Sequence, residues 1–463
     1  MAVPLAQRLH IVSSVIKAPV VIVGGGLSGL AAGVFLSARG IPVTLFEQKP
    51  ALGGRAYSYT DATTGDIVDN GQHVLIAGYE KTMAFLEKIG TKDLLKIQSR
   101  PELLFHHPQR GFQRLVLPSL PPPFHLTFGI LSCRLFSIAD RLRILRAGLS
   151  IKRLGESDYN TLTDLTVNQW LDMLGQPEEC KRSFWEPLAV SIMNEHVASA
   201  SAATFVRSVK KAFLSNRRNA ALALPTVGLS ELYAKHAEDF ICAHSGSVFC
   251  NSDVTEVLFD GNIVSGVRLR SGDIMECSAI ILAVPNTKLR ALLPEPLRNQ
   301  PAFSAMESAA MSPIVSIHLW FETDAMLDDF VGLIGKRVQW VFNKRRINKD
   351  KGKGGHISAV ISAAHEFVSL SNDDLIRLTM EDLKSAYPEF PSHPIHAVVI
   401  REKRATFSCT PEIDRLRLPQ RTSVPNMFLA GDWTDTGFPA TIESAIVSAE
   451  RCADLVSGLL IRE

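Results

Sequence analysis

The hydrophobic pattern near the start of the chain predicts a strand, a helix and a second strand in close succession. Residues 19–23 are apolar and rich in Val, and glycines follow them, which is typical of a strand buried in a parallel sheet. Residues 27–39 are rich in Ala and Leu and predict a helix that Gly40 ends. Residues 42–46 predict the second buried strand. Together the three elements predict a βαβ unit.

The pattern changes several times after this unit. Residues 112–224 contain a run of three prolines and are then helical and basic in character, whereas residues 225–290 return to mixed helix and strand. An Asp-Gly pair at residues 260–261, between two alternating runs, predicts a hairpin. Residues 291–400 contain alternating runs that predict an antiparallel sheet facing a pocket. Residues 401–463 predict an apolar strand and a long final helix.

The order of these segments predicts an α/β protein with two domains, each assembled from separate pieces of chain. The first is a Rossmann-like dinucleotide-binding domain, which we expect to comprise residues 18–111, 225–290 and 401–463. The second is a substrate domain of helices and antiparallel sheet, comprising residues 112–224 and 291–400. A length of 463 residues is sufficient for two or three domains.

The composition excludes several classes of protein. Hydrophobic residues make up 46% of the chain and charged residues 21%, which excludes a disordered or coiled-coil protein. The net charge of +2 is far below that of a nucleic-acid-binding protein, so we expect no nucleic acid partner. Seven cysteines without a CxxC pair predict free thiols and no metal site. Residues 1–17 do not resemble a signal peptide, and no apolar run is long enough to span a bilayer, so we expect a cytoplasmic protein.

A glycine motif joins the first strand to the first helix. In this GxGxxG pattern Gly24 permits a tight turn, Gly26 admits a pyrophosphate close to the backbone, and Gly29 lets the helix pack on the strand. The N-terminus of the helix, at Leu27 and Ser28, offers free N–H groups and the positive end of the helix dipole. The motif predicts a dinucleotide site, and NAD and FAD both use it.

An acidic residue and a second glycine motif follow the second strand. Glu47 ends that strand, where a carboxylate can accept both hydroxyl groups of an adenosine ribose. Gly53 and Gly54 permit close backbone approach, and Arg55 can meet phosphate or carbonyl oxygens with two hydrogen bonds. This segment lies where a long extended cofactor would pass, and it therefore favours FAD over NAD.

Two elements near the end of the sequence are suited to the other half of FAD. Gly431 and Asp432 follow an apolar strand, and a carboxylate there can hold ribityl hydroxyls. Thr441 and Ile442 open the last helix, whose N-terminus can stabilise negative charge at N1–C2=O of a reduced flavin. Simple strand and helix caps would explain the same residues if they stood alone.

Taken together, these residues resemble the amine oxidase/phytoene desaturase family of FAD flavoproteins over residues 19–456. Residues 69–79, 338–342 and 430–443 are similar to its squalene-associated branch. The resemblance implies FAD as the cofactor, a Rossmann-like FAD-binding domain and reductive removal of the hydroxyl of hydroxysqualene, giving squalene for hopanoid biosynthesis. It also implies that Val254 binds the adenine through its backbone.

Such a reaction needs a group that protonates the leaving hydroxyl. His73 and Asp435 are the candidates because both lie in the branch-specific stretches. The alternatives are that His73 bonds to backbone near the cofactor and that Asp435 caps a turn. Two other functions also stay open. One is a carotene or phytoene desaturase, in which the flavin accepts hydride, and the other is a flavin-free prenyl-lipid carrier on the same fold.

The expected small-molecule substrate is an isoprenoid, which would come from a membrane. A predicted helix over residues 138–153 carries one apolar face surrounded by basic residues, and this face could lie on an anionic bilayer. The alternative is an ordinary amphipathic helix packed on the substrate domain. A second basic cluster runs from Lys344 to Lys353 and predicts a solvated hairpin loop, with contact to a membrane as the alternative. The sequence fixes no oligomeric state.

Overall fold

The computed structural model describes residues 18–348, 352 and 354–461. The N-terminal segment over residues 1–17 lies outside the described residues. The same holds for Lys349, Lys351 and Lys353 of the second basic cluster.

A five-stranded parallel sheet forms the first half of the fold. Its strand order is β10-β2-β1-β14-β20, and every neighbouring pair runs parallel. The strands are β1 (Val20–Val23), β2 (Val43–Phe46), β10 (Ser247–Phe249), β14 (Ala279–Leu282) and β20 (Met427–Leu429). The predicted βαβ unit is confirmed, since α1 (Leu27–Ser37) connects β1 to β2. Because the strands are parallel, their carboxyl ends meet at one edge, where open α/β sheets bind ligands.

A seven-stranded sheet forms the second half. Its order is β19-β15-β18-β17-β16-β7-β8. The strands are β7 (Glu102–His107), β8 (Gly111–Val116), β15 (Met311–Phe321), β16 (Phe330–Leu333), β17 (Trp340–Asn343), β18 (Gly355–Ile361) and β19 (His396–Phe407). The sheet is antiparallel except where β16 pairs in parallel with β7, a strand of the β7–β8 hairpin. The expected domain boundary at residue 112 falls inside β8.

Three smaller sheets complete the strands. They contain β3 (Ser58–Thr60) with β4 (Ile67–Asp69); β5 (Leu75–Ile76), β6 (Leu95–Ile97) and β9 (Leu222–Pro225); and β11 (Val254–Asp260), β12 (Ile263–Leu269) and β13 (Ile274–Glu276). The hairpin predicted at residues 260–261 is confirmed, because β11 and β12 pair antiparallel and Gly261 has a positive φ of 58°.

Helices cover the parallel sheet and also fill the region between residues 124 and 209. The remaining helices are α2 (Glu80–Lys88), α3 (Phe124–Ser132), α4 (Ile138–Arg153), α5 (Val167–Met173), α6 (Glu178–Cys180), α7 (Glu186–Met193), α8 (Ala202–Val209), α9 (Lys235–Ala243), α10 (Asn286–Leu292), α11 (Glu295–Arg298), α12 (Pro301–Glu307), α13 (Lys344–Ile347), α14 (Asn372–Ala386), α15 (Pro411–Leu416) and α16 (Ile442–Leu460). Among the described residues, no helix combines the length and the apolar character that crossing a membrane requires.

Candidate cofactor and substrate cavity

A cavity of about 610 Å³ lies between the two large sheets. One wall is the carboxyl edge of the parallel sheet, where residues following β1, β2, β14 and β20 line the space. Residues of the larger sheet, including Ile314 on β15 and Val360 on β18, line the opposite wall. The cavity therefore lies where the fold class places a ligand.

The glycine turn after β1 fits a pyrophosphate. Gly24 has a φ of +108°, and a Cβ on Gly29 would lie 1.9 Å from the carbonyl oxygen of Gly24. A Cβ on Gly26 would instead meet only the Cα of Gly54, at 3.8 Å, so the space beside Gly26 is open. Leu27 and Ser28 line the cavity, and no side chain caps α1 among the described residues. The turn thus presents backbone N–H groups to an anion, whereas Gly29 contributes through packing outside the cavity lining.

Glu47 lies at the end of β2 on the cavity wall and is 6% exposed. Its Oε2 accepts a hydrogen bond from the amide of Gly25 at 2.6 Å, and its Oε1 accepts one from the amide of Lys49 at 2.8 Å. Each carboxylate oxygen keeps further acceptor capacity, which suits ribose hydroxyls. Glu47 therefore holds the glycine turn in place as well as facing the cavity.

Gly53, Gly54 and Arg55 bring the second glycine motif against the first. The amide of Gly53 donates to the carbonyl oxygen of Gly25 at 2.9 Å. Arg55 Nη2 lies 2.5 Å from Oδ1 of Asp432, and Arg55 Nη1 donates to the carbonyl oxygen of Ala405 at 3.1 Å. The Arg55 side chain is 38% exposed, so part of its guanidinium still faces open space. This ion pair joins the two ends of the proposed FAD site, which spacing along the sequence could not show.

The elements at the end of the sequence line the same cavity. Gly431, Asp432, Thr441 and Ile442 are all cavity residues. The side chain of Thr441 accepts from the amide of Ser444 and caps α16, which begins at Ile442 and directs its N-terminus at the cavity edge. Thr441 therefore caps the helix, as the alternative supposed, and also lines the cavity.

Val254 completes the set at the start of β11, where it is buried and lines the cavity. Of the predicted cofactor residues, all but Gly29 border one continuous space.

His73 lines the cavity and is half-buried. Its Nδ1 lies 2.9 Å from the carbonyl oxygen of Gly71. A carbonyl oxygen only accepts, so Nδ1 carries the hydrogen and Nε2 is an acceptor in the neutral ring. Burial lowers the pKa of His73 from its ordinary value, which favours this neutral form.

Asp435, the other candidate acid, does not face the cavity. It is exposed and is not among the residues that line the space. Its amide donates to the carbonyl oxygen of Leu418 at 2.7 Å, and its own carbonyl accepts from Gln420 and Arg451. The backbone of Asp435 therefore stabilises a turn, and its exposed side chain does not reach the cavity as the expected acid would have to.

A buried polar cluster behind His73 was missed by the sequence analysis. Lys344 Nζ lies 3.0 Å from Oδ2 of Asp69 and donates to Oε1 of Gln72 at 2.8 Å. Lys344 is 2% exposed, and Arg345 pairs with Asp66. The prediction of a solvated loop is therefore wrong for these two basic residues, because each meets a carboxylate from the segment that carries His73.

Two histidines extend this cluster into the larger sheet. His318 Nε2 lies 3.1 Å from the carbonyl oxygen of Asp69, and His318 Nδ1 lies 3.2 Å from His356 Nε2. Because the carbonyl accepts, His318 Nε2 carries the hydrogen, and in the neutral pair His356 Nε2 donates to His318 Nδ1. Burial, the largest cause, lowers the pKa of His318 to about 4 and that of His356 to about 2. The alternating positions on β15 and β18 were the only sequence signal for this pair.

Glu402 is a further cavity residue that the sequence did not reveal. It lies on β19 and lines the cavity, and its Oε1 accepts from Nδ2 of Asn70 at 2.9 Å. Asn70 also donates to the carbonyl oxygen of Arg55 at 2.9 Å. Asn70 thus connects the Asp69–His73 segment to β19 of the larger sheet and to the loop that carries Arg55.

The fold and cavity are those of a dinucleotide-binding oxidoreductase, in which an open glycine turn and the carboxylates of Glu47 and Asp432 border one space. The sequence matches the family described as flavin containing amine oxidoreductase over residues 27–457, and the chain belongs to this family. It is a flavin-dependent oxidoreductase whose cofactor is FAD, and the open space beside Gly26 fits that group. Membership excludes the flavin-free carrier considered above.

Similar proteins include two enzymes of isoprenoid chemistry. The chain is 26% identical over 441 residues to the hydroxysqualene dehydroxylase of Zymomonas mobilis, covering 94% of this chain and 98% of that protein. It is 24% identical over 456 residues to the chloroplastic/chromoplastic 15-cis-phytoene desaturase of Glycine max, covering 94% and 79%. The crystal structure of an oxidoreductase from Methanosarcina mazei matches with a TM-score of 0.74 at 16% identity, covering 94% of this chain and 100% of that chain. The last comparison supports the fold.

Proposed function

We propose that this enzyme reductively removes the hydroxyl group of hydroxysqualene to give squalene. The proposal rests mainly on the cavity, which combines the FAD-site residues with an apolar wall and one imidazole. The apolar wall is formed by Val74, Val190, Ile192, Ile314 and Val360, and His73 lies beside Val74 in the chain. A long hydrocarbon with a single hydroxyl group matches such a surface. The relative from Zymomonas mobilis, which carries this activity in its name, supports the same choice.

Different residues along the cavity would bind different parts of FAD. Gly26, Leu27 and Ser28 would meet the pyrophosphate, Glu47 the ribose, and Val254 the adenine. At the other end Asp432 would hold ribityl hydroxyls, while the N-terminus of α16 would favour negative charge on the ring. When bound in its reduced form, FAD supplies the hydride that replaces the hydroxyl group. In the overall reaction the C–O bond would break, a C–H bond would form, and the oxygen would leave as water with one proton taken up from solvent.

His73 orients the substrate in this proposal. Its neutral ring accepts at Nε2, so it can bind the hydrogen of the substrate hydroxyl and fix the carbon that receives hydride. In this role His73 does not act as a general acid that is protonated before the substrate binds, because burial lowers the pKa of His73 and disfavours the protonated ring.

The neutral ring also favours a second candidate function. A phytoene-type desaturation removes hydrogen from the substrate, and an unprotonated Nε2 is a base that could take up the proton. The relative from Glycine max is named for this reaction. In that case the flavin accepts a hydride.

An anaerobic single-turnover experiment separates the two candidates. Enzyme reduced with dithionite is mixed with hydroxysqualene, and oxidised enzyme is mixed with 15-cis-phytoene. We expect squalene and reoxidised flavin in the first mixture and unchanged phytoene in the second. A more conjugated product from phytoene, without squalene from hydroxysqualene, would replace the proposal by the second candidate.

The pH dependence of this turnover tests His73. If the neutral ring is the active form, the rate falls as the pH drops through the lowered pKa of His73, below its ordinary 6.5. His73→Gln should remove this dependence and slow turnover about tenfold or more, since positioning contributes strongly to such rates. The exposed His244 provides the control variant His244→Gln, which should behave as wild type. A rate that rises on acidification would identify His73 as the acid.

A further inference from the structure

Two neighbouring helices of the substrate half leave apolar stripes in solvent. On α3 the stripe consists of Phe124, Phe128 and Leu131, and on α4 it consists of Ile138, Leu142 and Leu149. These six side chains are between 39% and 74% exposed. The two helices contact each other, so the stripes belong to one surface, which we call the α3–α4 surface.

The opposite face of α4 is the one that packs on the protein. Asp140, Ile144, Ala147 and Ile151 are its buried residues. The apolar face that the sequence predicts for this helix consists of Ile138, Leu142, Leu145 and Leu149. It is therefore the exposed face, although Leu145 is half-buried. Packing of the buried face against the protein explains why α4 is amphipathic. It does not explain why the exposed face of α4 is also apolar.

Basic residues are concentrated around these stripes. Residues 123–154 contain six basic side chains against the single acidic Asp140, although the whole chain has a net charge of only +2. Asp140 is buried and pairs with Arg143 at 3.0 Å. The exposed basic residues of this segment also include Arg134, Arg146, Lys152 and Arg153. With 3.6 residues per turn, Arg146 and Arg153 lie on one flank of the α4 stripe and Lys152 on the other.

Arg141 is not part of this exposed set. Its Nε donates to the carbonyl oxygen of Phe136 at 3.1 Å, and its Nη1 donates to that of Leu131 at 2.6 Å. Arg141 thus connects α4 to the end of α3. Replacing it would disturb the fold and would not test the charge of the α3–α4 surface.

We infer that the α3–α4 surface docks the enzyme on a lipid bilayer with anionic headgroups. Apolar stripes of this kind enter the boundary between headgroups and acyl chains, while flanking guanidinium and ammonium groups meet lipid phosphates. A second copy of this chain is a poorer occupant, because a symmetric contact would bring two basic clusters together. The inference deepens the proposed function, since a C30 isoprenoid partitions into membranes, but the docking itself requires no turnover.

Vesicle sedimentation of the holoenzyme tests the inference. We expect binding to vesicles of equal parts phosphatidylcholine and phosphatidylglycerol, and weaker binding to phosphatidylcholine alone. A triple variant, Arg146→Gln with Lys152→Gln and Arg153→Gln, should lower partitioning to anionic vesicles about a hundredfold, because each basic side chain at such a surface is worth roughly fivefold. Phe128→Ser with Leu142→Ser should lower partitioning to a similar extent, because it removes apolar area.

Matched variants elsewhere provide the controls. Leu327→Ser with Ile395→Ser removes two exposed apolar side chains, and Lys88→Gln with Lys235→Gln and Lys384→Gln removes three exposed charges. These controls should bind vesicles as wild type does. Retained flavin and unchanged turnover of detergent-dispersed substrate would show that the test variants are folded.

Three results would overturn the docking inference. The first is that wild type does not bind vesicles, and the second is that test and control variants lose vesicle binding equally. The third is that the test variants bind vesicles as wild type does but, by light scattering, lose a dimer that wild type forms. An enzyme that binds vesicles but leaves hydroxysqualene unchanged would contradict the proposed function alone.

Discussion

Glu47 accepts hydrogen bonds from two backbone amides while it faces the cavity. Glu47→Gln keeps the size of the side chain but loses its charge and replaces one acceptor by a donor. Hydrogen bonds to a charged group contribute about 1.5–3 kcal/mol, so we expect the Kd for FAD to rise at least about tenfold. Titration of apoprotein followed by flavin fluorescence measures this. Glu256→Gln, at an exposed residue paired with Arg268, is the control, and equal affinity of both variants would contradict the ribose assignment.

The buried histidine pair predicts a pH dependence of stability. The folded-state pKa values of His318 and His356, about 4 and about 2, lie below the ordinary 6.5, so the unfolded chain binds more protons between these values. The free energy of unfolding therefore falls as the pH is lowered, by about 2 kcal/mol per imidazole from pH 7 to pH 5. Urea unfolding at both pH values measures the change.

Variants of the pair isolate its contribution from that of other groups. Burial raises the pKa of Glu443, so this residue acts in the opposite direction. Its contribution to the free energy of unfolding falls as the pH rises. Subtracting the pH dependence of His356→Gln from that of wild type cancels this term, and His318→Asn provides a second comparison. His244→Gln, at an exposed residue, should leave the dependence unchanged. An identical dependence in all four proteins would show that the pair does not titrate on unfolding.

At the residue scale the sequence revealed what is local and missed what depends on distant partners. Glycine spacing and the acid after β2 predicted the residues now found at the glycine turn. Lys344 looked solvent-exposed because its neighbours are basic, and only Asp69, far away in the chain, explains its burial. Asp435 lies in the same stretch as Asp432, and the pattern could not show that one faces solvent and the other the cavity.

At the scale of elements, two helical glycines make a matched pair. A Cβ on Gly29 in α1 would lie 1.9 Å from a backbone oxygen, whereas a Cβ on Gly148 in α4 meets nothing within 4 Å. Gly29→Ala should therefore lower the free energy of unfolding by about 2 kcal/mol or more and abolish FAD retention. Gly148→Ala should raise it by about 0.5–1 kcal/mol, as expected within a helix. Urea unfolding and the visible absorbance of bound flavin measure both, and similar effects of the two changes would contradict the close packing at the turn.

Elements were predictable where their pattern is self-contained. The βαβ unit and the β11–β12 hairpin carry their signals within a few residues, and both are confirmed. The parallel pairing of β16 with β7 depends on two strands more than 200 residues apart, and nothing in either strand specifies its partner. For the same reason β7 and β8 could not be assigned to the larger sheet from their own sequence.

At the scale of the whole molecule, we expect bound FAD to stabilise the fold by contacting segments that are far apart in the chain. The cavity is lined by residues near the start, the middle and the end of the described chain, such as Gly26, Val254 and Asp432. Because FAD would bind only the folded arrangement, FAD at 100 times its Kd should add about 2.7 kcal/mol to the stability of apoprotein. Differential scanning calorimetry should show a higher Tm with FAD and no change with FMN, which lacks the adenosine half. An equal Tm with and without FAD would contradict a site shared by these segments.

The ion pair between Arg55 and Asp432 has a consequence for biosynthesis. Translation proceeds from the glycine turn toward the last helix, so a nascent polypeptide displays the residues proposed to bind adenosine long before β20 and α16 have emerged. If Asp432 and the N-terminus of α16 bind the flavin end of FAD as proposed, the isoalloxazine is enclosed only after residue 442 has left the ribosome. We therefore expect flavin to load late in the maturation of this enzyme, and we expect chains arrested on the ribosome before Asp432 to be colourless when isolated.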